Sequence, residues 1–171
     1  MAGTVLVGYG KGALRLLHAN SGEPAGDIPL SGHPESFQLD ASGQRAFVNV
    51  PTARQVAVVD RAKRKVLATW PIPGAKANFP MALDEQGGRL FVGARSPAVL
   101  LVYDTDTGKN VARLPIGGDA DDVFFDAQRK RVYVICGSGR IDVLRRKTAD
   151  RYAHETSIKT APRGPHRPFR A

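Results

Sequence analysis

Three carboxylates fall within four residues, at Asp119, Asp121 and Asp122. A set this close repels itself unless positive charge lies near, because like charges raise one another's pKa. Two chemistries could relieve it: a divalent cation held through oxygen ligands, or internal pairing with a base such as Lys76 or Arg95. The spacing resembles part of a calcium loop but lacks that loop's Gly and distal Glu. The other reactive side chains are scattered. His18, His33, His154 and His166 show no metal-ligand spacing. Cys136 is the single cysteine, which excludes an intramolecular disulfide and a Cys-based zinc cluster. It ends an apolar run and reads as a small buried hydrophobe. GYGKGA, residues 8–13, is followed by a strand pattern and not by the helix a phosphate-cradling loop needs. CGSGR, residues 136–140, likewise lacks the helix that would make Ser138 a nucleophile elbow. No catalytic residues, metal site or cofactor site can be assembled at the spacing a reaction class demands.

The elements that would position these residues repeat along the chain. Leu39-Asp40, Leu83-Asp84 and Phe125-Asp126 recur at intervals of 44 and 42 residues. Five residues after each Asp comes an Arg: Arg45, Arg89 and Arg131. Each Arg opens a β-rich run, AFVNV, LFVGA or VYVIC, and a second run follows: VAVVD, LLVYD or IDVLR. A further element ends on Pro29-Leu30, Pro71-Ile72 and Pro115-Ile116. Each unit reads as four short strands, A to D, joined by turns rich in Gly, Asp and Ser. Strand A spans 35–40, 79–84 and 121–126. Strand B spans 3–8, 45–50, 89–94 and 131–136. Strand C spans 13–18, 55–60, 99–104 and 140–145. Strand D spans 24–30, 66–72, 111–116 and 153–159. The Asp and Arg flank the A–B turn, where turn hydrogen bonds and a surface ion pair are expected. Four antiparallel strands at this period are the signature of a β-propeller blade. The expected fold is therefore all-β, with units 3–34, 35–78, 79–120 and 121–160, the first lacking strand A, in all about 3.75 blades. Six or seven blades need roughly 250 to 300 residues, so the ring is expected to be incomplete. A four-bladed ring closed by the tail is the alternative.

At 171 residues the chain is long enough to bury a core. It holds no apolar run of the length, about 18 residues, that a membrane-spanning helix requires. No basic segment followed by an apolar run opens the sequence, so no export signal is read there. The net charge is +9. Residues 145–171 carry eight Lys or Arg against two acids, so the excess belongs mainly to the tail. Such a tail can bind phosphate without sequence information; nucleic acid is not otherwise expected. The repeat register collapses at RGPHRPFRA, residues 163–171, where Pro165 and Pro168 argue against a central strand. Residues 161–171 are expected to be a basic tail outside the fold, from a partial or frame-shifted propeller gene product.

The runs FVNV, LFVGA and YVIC, with HPESFQLD (33–40), NFPMALD (78–84), TDTGK (105–109) and GDADDVFFD (118–126), resemble YVTN-family β-propeller repeats. The resemblance covers about residues 4 to 160. It implies a typically bacterial, often exported protein, hence a periplasmic or extracytoplasmic one, without an assigned activity. In a propeller the D–A and B–C connections share one face. Here that face gathers His33, Glu35, Asn78, Arg95, Asp119, Asp121 and Asp122, which differ from one another at equivalent repeat positions, with Arg54, Lys76 and Arg140 alongside. The function expected is a non-enzymatic module binding a protein or small ligand there. The alternative is a fragment of a propeller enzyme, such as a quinone- or metal-dependent dehydrogenase or a lactonase-like hydrolase. Open blade edges would also favour self-association.

Overall fold

The protein is described by a computed structural model over residues 3–162. Of the basic tail expected over residues 161–171, residues 163–171 lie outside the described residues. Fifteen strands form four antiparallel sheets. The first sheet has three strands, β1 (Thr4–Tyr9), β2 (Ala13–His18) and β3 (Pro24–Pro29). The second holds β4 (Phe37–Leu39), β5 (Arg45–Val50), β6 (Gln55–Asp60) and β7 (Lys65–Pro71). The third holds β8 (Lys76–Asp84), β9 (Arg89–Ser96), β10 (Ala98–Asp104) and β11 (Asn110–Pro115). The fourth holds β12 (Ala120–Asp126), β13 (Arg131–Cys136), β14 (Arg140–Thr148) and β15 (Arg151–Lys159). Each sheet pairs its strands in chain order, as a blade does, and the described residues hold one 3-10 turn, Pro51–Ala53, and no α-helix. None of their helices can therefore cross a membrane.

The packing follows from side chains alternating between the two faces of each strand. In β5, Ala46 and Val48 join Leu14, Leu16 and Ile28 in the core between the first and second sheets. Phe47 points the other way, into the core with Trp70, Met81, Leu90, Leu101 and Tyr103. In β9 the pattern repeats: Leu90 and Val92 face the second sheet, while Phe91 joins Val123, Val132, Val134 and Leu144 of the fourth. A middle sheet is thus apolar on both faces, which is why its strands read as near-continuous hydrophobic runs. The sheets succeed one another as an arc and do not close into a ring. Among the described residues no closed four-blade ring is formed, and the tail that would close one lies outside them.

The turn Asp residues behave as expected. Asp40 Oδ1 accepts from the Gln44 amide at 3.1 Å, Asp84 Oδ1 from the Gly87 amide at 2.9 Å, and Asp126 Oδ1 from the Arg129 amide at 2.9 Å. The expected Asp–Arg ion pair forms only in the second sheet, Asp40 to Arg45 at 3.0 Å. Elsewhere the arginines have other partners. Arg89 bridges Asp104 at 2.8 Å and Asp150 at 2.7 Å, and Arg131 bonds Glu155 at 2.7 Å. Asp84 pairs with Arg146 and Asp126 with Arg129. The reason is positional. Arg45 Nη1 also donates to the Thr105 carbonyl at 3.1 Å. Arg45 and Arg89 each reach the C–D turn of the following sheet, so this arginine ties neighbouring sheets together.

Candidate ligand-binding face

In the first, second and fourth sheets a D–A connection is hydrogen-bonded to the B–C connection. Leu30 donates to the Gly12 carbonyl at 2.9 Å, Ile72 to Arg54 at 2.9 Å, and Gly137 to Asp119 at 2.7 Å. These loops therefore share one end of the arc. The third and fourth sheets enter it through irregular A strands. The β8–β9 register shifts between Asn78 and Met81, and the β12–β13 register between Ala120 and Asp122. Such bulges re-aim side chains at the rim of a sheet. Before each bulge a residue takes the left-handed conformation, Ala77 at φ 59° and Asp119 at φ 57°. Asp tolerates that region through its short polar side chain, whereas Ala has no such relief. Replacing Ala77 by Gly is expected to remove about 1–2 kcal/mol of backbone strain against about 0.5–1 kcal/mol of extra chain entropy. The net gain, about 0.5 kcal/mol, should raise Tm by about 1–2 °C in calorimetry, and an unchanged or lower Tm would count against strain at this position.

The acidic cluster is resolved largely by a single cation. Arg95 Nη1 lies 3.0 Å from Asp119 Oδ1 and Arg95 Nη2 2.8 Å from Asp121 Oδ1, while Arg95 Nε donates to the Ala120 carbonyl at 3.0 Å. The Arg95 guanidinium also stacks on the Phe79 ring, 4.7 Å from its centroid. Asp122 stands apart, accepting from the Val123 amide at 2.9 Å. A Cβ at Gly137 would collide with the Asp119 carboxylate, so the tight approach of these loops requires glycine there. Among the described residues no group of three His, Cys, Asp or Glu is placed to hold a metal ion.

His33 and Glu35 line a groove of about 280 Å³ with Pro51, Thr52, Arg54, Lys76, Ala77 and Phe79. The His33 Nδ1 lies 2.6 Å from the Gly10 carbonyl, which fixes the ring against the first sheet. Arg54 and Lys76 also border a second hollow of about 320 Å³ with Ile72 and Ser96. Both are exposed, and among the described residues neither has a carboxylate at ion-pair distance, Glu35 included. Asn78 does not join this surface. It is fully buried, its Nδ2 donating to Asn49 Oδ1 at 2.9 Å and to the Gln55 carbonyl at 3.2 Å, with its Oδ1 unpartnered. Asn49 in turn donates to the Phe79 carbonyl at 2.9 Å. The asparagine pair is a polar pin between second and third sheets, beneath the groove floor.

Two further polar groups escape a reading by spacing alone. Asp142 is wholly buried in β14 and accepts from the Gly117 amide at 2.6 Å and the Ser157 hydroxyl at 2.6 Å, with Arg140 at 3.1 Å. Burial opposes its charge, but the Ser157 hydroxyl, the Gly117 amide and Arg140 hold the carboxyl below its usual range. His154 Nε2 lies 2.9 Å from Ser157 Oγ. The serine hydroxyl lies between the other two, giving its proton to Asp142 while His154 Nε2 stays 3.7 Å from that carboxylate, whereas in a nucleophile–base–acid relay the base lies between nucleophile and acid. Beside them Cys136 is buried, and burial first, then the Asp142 charge, push its thiol pKa up. That makes it an unreactive core side chain.

In sequence, no protein family and no curated protein matches the chain. In structure, it is similar to Kuenenia stuttgartiensis hydrazine synthase, with a TM-score of 0.73 at 15% identity over 83% of this chain and 42% of that one. It is also similar to a chain of the mitotic checkpoint complex, with a TM-score of 0.79 at 13% identity over 91% of this chain and 49% of that one. The chain spans less than half the length of either. At such identities the likeness is one of fold, and with the four sheets described above it makes this chain a β-propeller module.

Proposed function

We propose that this chain is a non-enzymatic binding module of YVTN type that takes an acidic ligand segment on its D–A and B–C loop face. The observation that carries the reading is the groove beside Phe79, where Arg54 and Lys76 stand without carboxylate partners among the described residues. A carboxylate entering it would gain two charge-assisted contacts, while Pro51, Ala77 and the Phe79 ring give an apolar wall. Arg95 takes no part in the charge balance, since Asp119 and Asp121 already neutralise it. It supports the site by holding the Phe79 ring in place. The resemblance to exported YVTN repeats supports a periplasmic or extracytoplasmic setting for this binding.

The probe is a peptide of alternating Glu and Leu, with its Gln counterpart as control, titrated into the full chain and followed by NMR amide shifts. Shifts are expected at residues 33–35, 51–54 and 76–79 with the Glu peptide, weakening as salt is raised. The double substitution Arg54→Ala with Lys76→Ala should abolish them without altering the melt, because both side chains are exposed. Equal shifts from the Gln peptide, or shifts confined to other surfaces, would refute the reading.

A further inference from the structure

We propose that two copies of this chain join end to end into one closed ring of eight sheets, the fourth sheet of each copy covering the first sheet of the other. The inference does not depend on the ligand reading, since it concerns the two ends of the arc. The outward face of the fourth sheet carries Phe124, 54% exposed, and Ile158, 49% exposed, together with Tyr133. Tyr133 holds the register position of Phe47 and Phe91, both fully buried against the sheet that follows. At the other end, Val5 is 48% and Val7 37% exposed on the outward face of the first sheet. They hold the positions of Ala46 and Val48, both fully buried against the sheet that precedes. One end of the arc therefore presents the surface that inside the molecule meets a following sheet, and the other end the surface that meets a preceding one.

The occupant follows from three observations. The face types are complementary between ends, so a second copy reproduces a junction the chain already makes three times over. Two arcs of four sheets give eight, within the known range of about four to eight blades. The inter-sheet arginine is also left over at the open end. Arg45 and Arg89 reach the C–D turn of the following sheet, whereas Arg131, on the last described sheet, turns to Glu155 of its own. In the ring it faces the β2–β3 turn of the other copy. Closure by a two-fold axis is also the commonest symmetry of soluble oligomers.

Sedimentation equilibrium of the full chain at micromolar concentrations tests the ring. The expected mass is twice 18.4 kDa, with no growth beyond it as concentration rises. Ile158→Glu and Val5→Glu each alter an exposed side chain of the arc, so both variants should keep the wild-type circular dichroism. Each should weaken association by about a hundredfold or more, because a buried unpaired charge then sits at both junctions of the dimer. A wild-type monomer, masses that climb past the dimer, or a dimer that survives either substitution would overturn the proposal.

Discussion

Asp142→Ala is expected to lower the stability of the chain by about 3–5 kcal/mol, the usual cost of removing one partner from a buried charged network. The side chain is 0% exposed and joins three parts of the fold. Its carboxylate accepts from Gly117 in the β11–β12 connection, from Ser157 on β15 and from Arg140 at the start of β14. Alanine would leave the Gly117 amide, 2.6 Å from the lost oxygen, without an acceptor in a buried setting. Urea denaturation followed by circular dichroism measures the loss; a change below about 1 kcal/mol, the size of an ordinary surface substitution, would show that the network is incidental.

The same group sets an acid limit. Its folded pKa lies below the ordinary aspartate value, so the unfolded chain binds the proton more readily. Its contribution is therefore complete above the unfolded pKa, about 3.9, and is lost as pH falls through the folded one. Asp142→Asn keeps the shape and one acceptor oxygen but presents an amide to donors. It should fall between wild type and alanine at neutral pH, and its stability should change less between about pH 5 and about pH 3, the window of carboxylate titration.

The fold was legible because the repeat is. The Asp-to-Arg interval placed β5, β9 and β13 at their observed starts, Arg45, Arg89 and Arg131. The A strands were less sharply read: β8 begins at Lys76, pairing with Ser96, because a bulge after Asn78 adds length that a fixed period cannot register. Partners of the charged residues were read least well. Spacing within one unit suggested that Arg89 serves Asp84, yet its acids are Asp104, across the same sheet, and Asp150, 61 residues away in the next. Local spacing carries turns and strand register, whereas contacts between sheets depend on which face each strand turns to its neighbour. Asn78 shows the same limit. It stood out as unlike its repeat equivalents, and the difference proved to be a buried link to Asn49, itself a polar residue where the other B strands have Gly93 and Ile135. The pairing of Arg95 with the acidic loop was foreseeable, since both lie on connections of one face.

Phe91→Ala is the other large expected loss, and it should uncouple one end of the arc from the rest. The Phe91 ring is fully buried between the third and fourth sheets, 5.2 Å from the Phe125 ring and edge-on to Tyr152 at 5.6 Å. Truncation of a buried Phe costs about 3–5 kcal/mol. In a repeat architecture each sheet is held by its neighbours alone, so stability is close to a sum of junction terms. The loss therefore falls on the junction with the fourth sheet and leaves that between second and third intact. Trp70, the sole tryptophan, reports the latter, stacked 5.9 Å from Tyr103 and 5.4 Å from Phe47. In the variant, circular dichroism should begin to fall at lower urea than tryptophan fluorescence, whereas Phe47→Ala, the same register position one junction earlier, should bring the fluorescence change first. If both probes shift together in Phe91→Ala, the arc unfolds as one cooperative block and the junctions are not energetically separable.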